Sequence, residues 1–523
     1  MQLSPAIHRS LFVFGVSLIA VGLSVGAVFL SLGIVIVSAN WMLEGNFPEK
    51  INTVKTNKIL WAFLLFYFLH LLGMMWSEEM SYGANDLKIK LPLLALPLVF
   101  ATTPGLSEKE IKKILLIYIG GILLATLWSM VFYFEWKKAE VNNVRDISRF
   151  YSHIRFSMNI VFGVFVCAWL MMQSEMKIRK LFLLIIGIWF IFFLFILSSL
   201  TGIVMLILLS LVYIIYFALQ QKNTVARTAY FMIILLVIGL PIFFIGKTYQ
   251  YFFPITEKAN EKLEQWTPAG DLYFHDKDLS RENGYFVWRH ISYPELEQSW
   301  NKKSELKFDG PDKKGNPLRF TLLRYMTSLG LRKDSLGFTF LKKTDIQNVE
   351  EGIPNYKLAE ATALQKRMYD MLWELNDYLE NGHLKNHSVM IRVLYWRTSW
   401  DIIKNNPITG VGTGDIQHEF EKRYLKGGIL RQKEEMRRSH NQFLEIWATL
   451  GFTGLLLLLI IVFIPVYLHR KYHPLLLPVA LITAFSMFTE DTLETQAGVS
   501  LFAFFIPLFL FVVHKDSKAD ITS

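Results

Sequence analysis

Apolar residues fall in long blocks along this chain, and polar residues gather between them. A hydrocarbon core of about 30 Å takes about 20 helical residues. The blocks near 10–24, 26–43, 59–76, 87–102, 111–134, 154–173, 181–197, 200–219, 229–246, 441–468, 475–489 and 498–514 therefore read as spans. The stretch 11–43 is long for one comfortable crossing. Ser24 and Gly26 permit a tight reversal there, so it is read as two. The expectation is an all-α polytopic membrane protein of about twelve transmembrane helices, with a large, mainly helical polar loop domain before the last three. Three regions follow: a membrane domain over 1–246 with about nine spans, a loop domain over 247–440, and a C-terminal membrane domain over 441–523 with about three.

Loop charge tests that count. With the N-terminus inside, the inner loops hold Lys50, Lys55 and Lys58; Lys109, Lys112 and Lys113; Lys177, Arg179 and Lys180; Lys222 and Arg227; Arg470 and Lys471; the C-terminal tail adds Lys515 and Lys518. The outer loops 77–86 and 490–497 have no Lys or Arg but carry Glu78, Glu79, Asp86, Glu490, Asp491 and Glu494. This is a positive-inside bias, and it puts the large polar segment outside. One span instead of two over 11–43 would invert it for every later loop. The outer loop 135–155 departs from the rule with Lys137, Lys138, Arg145, Arg149 and Arg155, and with His153 near the next span. Phosphate binding on the outer face and solvation near lipid headgroups both account for such a loop.

Composition agrees. The chain is 53% hydrophobic and 19% charged, with a mean hydropathy of +0.33, which is too apolar for a soluble protein of this length. The net charge of +10 follows from cytoplasmic Lys and Arg and does not point to nucleic acid. The single cysteine, Cys167, sits in an apolar run and reads as a buried small hydrophobe. Arg9 precedes a long apolar block without an A-x-A-like site, so a retained first span is expected rather than a cleaved signal peptide.

The polar segment is punctuated by Pro254, Pro268, Pro294, Gly310-Pro311 and Gly315. Residues 356–381 show a helical period that Asn381-Gly382 would end. A second helix is expected over 391–405, with Val393, Trp396, Trp400 and Ile403 on one face and Pro407 as its stop. Gly410, Gly412 and Gly414 form a close-approach loop, residues 415–425 read as a short helix, and Arg431, Lys433, Arg437 and Arg438 lead to His440. Beyond Asn441 the chain is apolar, with Gly451 and Gly454 allowing close helix packing.

Arg392, Trp396, Pro407, Gly410 and Gly412, followed by SHNQFLEIWATLGFTGLLLL from Ser439, resemble the C-terminal signature of the O-antigen ligase and polymerase superfamily. The layout with one large late loop is similar too, as is the Ser198-Ser199-x-Thr201-Gly202 turn. The insertion at 250–385 resembles that of Bacteroidetes-type members. Many members carry an arginine in the short turn, where this chain has Leu200. The resemblance implies an inner-membrane glycosyltransferase, N- and C-termini cytoplasmic, with a periplasmic active site. It moves a glycan from an undecaprenyl-diphosphate carrier to an acceptor hydroxyl, with inversion and without a metal or other cofactor. The acceptor is lipid A-core in a ligase, the next repeat unit in a polymerase, or a protein hydroxyl in an O-oligosaccharyltransferase.

The residue types suit that chemistry. A guanidinium binds phosphate oxygens in a planar fork and keeps its charge. It stabilises charge building on a leaving diphosphate. A histidine titrates near neutrality and accepts a hydroxyl proton. His440 is the candidate base, Arg392 the first candidate diphosphate ligand, Arg155 the second, and Arg437 and Arg438 the third. Trp396, His153 and Asn441 are candidate sugar or acceptor contacts. His275, His290, His383, His387 and His418 show no metal-ligand spacing. The acidic residues of the outer loops are accounted for by topology. A lipid-linked glycan transporter is the competing class, but it would place charges inside its spans, and none lies between 181 and 219.

Overall fold

The computed structural model describes residues 3–139, 147–254, 263–384, 388–427, 430 and 435–513, with the side chains of 135–139 left aside. Arg145, His387, Arg431, Lys433, Lys515 and Lys518 lie outside the described residues, as do the side chains of Lys137 and Lys138.

The fold is an all-α polytopic membrane protein. Among the described residues, nine helices are long and apolar enough to cross a membrane: Pro5–Val25, Ala27–Glu44, Lys58–Trp76, Glu108–Phe134, His153–Met172, Lys177–Ile196, Leu200–Gln220, Thr224–Phe252 and Gln442–Lys471. Leu476–Thr489 and Gln496–Val512 are shorter apolar helices. The stretch 11–43 forms two helices, parted at Gly26, whose φ of 149° and ψ of 157° no helix accommodates. The apolar block 87–102 is not one continuous helix. It is split at Leu91 between Met80–Lys90 and Pro92–Thr102, because Pro92 has no N–H to continue the ladder.

The chain divides into two compact units, Met1–Tyr213 with Arg392–Ser523, and Ile214–Ile391. The second unit has its own core around Trp300, Tyr325, Met326, Leu322 and Phe338. A two-stranded hairpin, Arg281–Glu282 with Tyr285–Phe286, turns through Asn283 and Gly284, both at positive φ. The helical period over 356–381 is interrupted. Tyr356–Ala359 is a separate turn, and Ala363–Asn381 starts afresh at Thr362, where Thr362 and Gln365 form a capping box. Gly382 ends it in the left-handed region.

In the first unit, Ile391–Asn405 is one helix, but the expected Trp face is not its buried face. Leu394, Tyr395, Thr398, Ser399, Ile402 and Ile403 are buried, whereas Trp396 and Trp400 are exposed. Tyr395 finds its partner inward, where its Oη donates to Glu435 O at 2.9 Å, while Ser399 Oγ bonds back to Tyr395 O of its own helix at 2.8 Å. The polar tip of Tyr395, which needs a partner, therefore faces inward, and the two indoles stay outside.

The glycine loop after Pro407 has a structural logic of its own. Helix Gln442–Leu468 is broken at Gly451, with φ 69° and ψ −167°. The break deprives carbonyls of the preceding turn of their helical donors. Val411 N and Gly412 N donate instead to Ala448 O and Thr449 O at 2.9 Å each, and Phe452 N donates to Pro407 O at 2.9 Å. Gly410 and Gly412 also have positive φ. A Cβ at Gly410 would lie 2.3 Å from Thr449 backbone, and one at Gly451 1.9 Å from Ile408 O. Loop and helix break interlock, and both need glycine.

Candidate functional site

The site grows from two short segments of the first unit, 438–442 and 490–494. Asn441 caps the helix Gln442–Leu468: its Oδ1 accepts from Phe443 N and Leu444 N at 3.1 Å each. Its Nδ2 donates to Phe488 O at 3.1 Å. Both ends of its amide thus serve the backbone. The Ser439 hydroxyl lies 2.8 Å from Asn441 O and 3.0 Å from Glu445 Oε2. Between these anchors His440 adopts φ 48°, a left-handed conformation that L residues hold only where their surroundings impose it.

His440 Nδ1 lies 3.2 Å from Glu490 Oε2 and 3.8 Å from Asp491 Oδ1. Arg392 meets the other oxygen of the same carboxylate, with Nη2 2.7 Å from Glu490 Oε1. Arg155, at the start of His153–Met172, stands 3.8 Å from both Glu490 Oε2 and Asp491 Oδ1. The ring of Tyr395 lies 5.7 Å from that of His440. Burial alone would raise the Glu490 pKa. The hydrogen bond from His440 and the charges of Arg392 and Arg155 outweigh it and hold the carboxyl below its ordinary range. An ionised carboxylate only accepts hydrogen bonds. The His440 proton therefore sits on Nδ1, and in the neutral ring Nε2 keeps its lone pair.

A second, buried network lies behind this one. Arg438 Nη1 is 3.2 Å from both Glu445 Oε1 and Glu494 Oε2. Lys90 Nζ reaches Glu494 Oε2 at 2.5 Å and Asp86 Oδ1 at 2.7 Å. Gln442 Nε2 donates to Glu494 Oε1 at 2.9 Å, and Leu493 N donates to Gln442 Oε1 at 2.6 Å. Burial opposes the Glu494 charge, but Lys90 and Arg438 prevail and keep it well below the usual carboxylate range. Across the two networks the carboxyl groups Asp86, Glu445, Glu490, Asp491 and Glu494 face the fixed cations Lys90, Arg155, Arg392 and Arg438. Fully ionised, these five carboxyls would outnumber the four cations by one.

Residues 358–459 match the family model described as O-Antigen ligase. The match supports membership of the O-antigen ligase superfamily. No curated protein matches the chain. The O-antigen ligase match takes in Arg392, the glycine loop, His440 and the break at Gly451. Arg155, Glu490 and Asp491 lie outside it. The match also supports an O-antigen ligase or polymerase type of function in general; members of that family are membrane glycosyltransferase-like enzymes, which implies a lipid-linked glycan and a glycan acceptor as partners.

Of the sequence-derived candidates, the structure brings together His440, Arg392 and Arg155. Arg438 is directed into the buried network, and Asn441 serves as a helix cap. Arg437 is exposed, with its carbonyl accepting from Tyr424 Oη at 2.9 Å. His153 is half-buried at the first position of its helix. Trp396 is exposed one turn after Arg392. Loop charge accounts for Glu490 without any further task, yet it is buried between His440 and two arginines. Its one sequence signal is an acidic pair directly after an apolar block, which topology alone also produces. His440, Glu490 and Asp491 each offer a ligand atom within 4.8 Å of the others. The guanidinium groups of Arg392 and Arg155 already face those carboxylates and would repel a divalent cation there.

Proposed function

We propose that this O-antigen ligase superfamily member transfers a glycan from an undecaprenyl diphosphate carrier to the hydroxyl of lipid A-core, at the periplasmic face of the inner membrane. The observation that carries the reading is the His440–Glu490–Arg392 contact, with Arg155 on the same acidic pair. The polar stretch 247–440 is the periplasmic domain in this reading, and both termini are cytoplasmic.

The acceptor oxygen attacks the anomeric carbon as the bond to the diphosphate breaks. The hydroxyl proton passes to His440 Nε2, and the bonding pair leaves with the polyprenyl diphosphate. Attack opposite the leaving group inverts the anomeric carbon. Arg392 and Arg155 supply the fixed positive charge for the diphosphate, joined by the exposed Arg437. Arg155 stands far enough from its carboxylates to turn a donor toward phosphate. Such preorganised charge stabilises the leaving group most as its bond breaks. Arg438 anchors the segment rather than binding phosphate, and Trp396 and His153 remain candidate contacts for sugar or acceptor.

Deletion of the gene, followed by analysis of surface glycan, tests the reading. Bare core with accumulated lipid-linked polymer is expected. Core bearing one repeat unit would make the enzyme a polymerase, and loss of glycan from proteins alone would make it a protein O-oligosaccharyltransferase. Complementation with His440→Ala is expected to leave the protein in the membrane and lose about 10²–10⁴ in transfer rate. Normal surface glycan in that strain overturns the mechanism.

A further inference from the structure

Lys90 is 1% exposed and far in sequence from every residue of the His440 site, yet the buried network it centres holds both segments that make that site. Glu494, its partner at 2.5 Å, sits on the short turn that also carries Glu490 and Asp491. Glu494 in turn engages Arg438 and Gln442, which flank His440 two residues to either side. Leu493 N is tied to Gln442 Oε1 at 2.6 Å. The 490–494 turn and the 438–442 segment are thus stitched together behind the histidine, and Lys90 supplies a cation that this stitching requires. Without it Glu494 would keep a buried negative charge opposite Arg438 while Glu445 competes for the same guanidinium.

We propose that Lys90 is a positioning residue for glycan transfer: by neutralising Glu494 it sets the 490–494 turn so that Glu490 meets His440 Nδ1. The inference rests on His440 as the base. Lys90 touches none of the groups assigned to substrate, so its effect passes through Glu490. A displacement of about 1 Å in a catalytic group costs roughly 10²-fold in rate.

The test uses the full-length protein in membranes, with lipid-linked glycan accumulated by the deletion strain as donor and core from that strain as acceptor. Lys90→Met removes the cation and leaves the Glu494 charge faced by Arg438 alone. A fall in kcat of about 10- to 100-fold with KM changed less than about twofold is expected. The same change in a Glu490→Gln background is expected to add little, because groups acting as a unit lose their effect once. Gln442→Met, which cuts the tether without changing charge, is expected to behave likewise and serves where Lys90→Met does not accumulate. Wild-type kcat in these variants, or losses that multiply with that of Glu490→Gln, overturns the proposal. Wild-type turnover in His440→Ala instead overturns the reading beneath it, and this inference with it.

Discussion

His440 Nδ1 and Glu490 Oε2 lie 3.2 Å apart across fifty residues of sequence, and the carboxylate is held ionised by two guanidinium groups. That contact fixes the tautomer of the imidazole, with the proton on Nδ1 and the lone pair on Nε2. Replacing Glu490 by Gln offers Nδ1 an amide that donates as readily as it accepts, so the useful tautomer is no longer enforced. Transfer by Glu490→Gln is expected to fall about 10²-fold or more, with normal protein level. A wild-type rate of glycan transfer in isolated membranes would separate Glu490 from the chemistry.

Arg392 binds Glu490 through one terminal nitrogen at 2.7 Å and is part-exposed, which leaves other donors of its fork for a diphosphate. Lysine carries the charge but not the planar pair of donors. Arg392→Lys is therefore expected to lose at least about tenfold in transfer, the loss of one charge-assisted hydrogen bond. Full complementation of surface glycan by this variant would reduce Arg392 to a packing role.

The interlock of the glycine loop with the break at Gly451 predicts a folding defect rather than a catalytic one. Alanine at Gly451 must adopt φ 69° and place its Cβ against Ile408 O. The backbone strain alone costs about 1–3 kcal/mol. Gly451→Ala is expected to lower the Tm of the detergent-solubilised protein and its amount in the membrane. An unchanged Tm would mean that loop and helix are not coupled.

Acid should destabilise the first unit. Glu490 and Glu494 both have pKa values below their ordinary range in the folded protein. Such groups stabilise the fold above the unfolded pKa, and the contribution disappears as pH falls through the folded one. Tm is expected to hold from neutral pH to about pH 4–5, where unfolded glutamate titrates, and to drop on further acidification. Glu494→Gln should flatten that acid limb. A Tm insensitive to pH below that range would show that these carboxyls are not held ionised.

The membrane character, the two helices within 11–43, the helix over 391–405 and its stop at Pro407 are all legible in the sequence. Each follows from local physics: apolar length, a glycine reversal, a helical period, a missing N–H. His440 and Arg392 stand out as candidates because their segment resembles a known signature, and Arg155 because its basic outer loop departs from the positive-inside rule. Their convergence is another matter, since Arg155, Arg392, His440 and Glu490 lie on four separate segments.

Sequence alone determines what is periodic or local, because hydrophobic length and backbone chemistry act over a few residues at a time. The tertiary structure decides which charges meet. It faces Tyr395 rather than Trp396 inward, directs Arg438 to Glu445 and Glu494, and makes Glu490 the partner of His440. Burying an ion requires an opposite charge nearby, and that partner comes from whichever segment packing brings within about 4 Å, however far along the chain it lies.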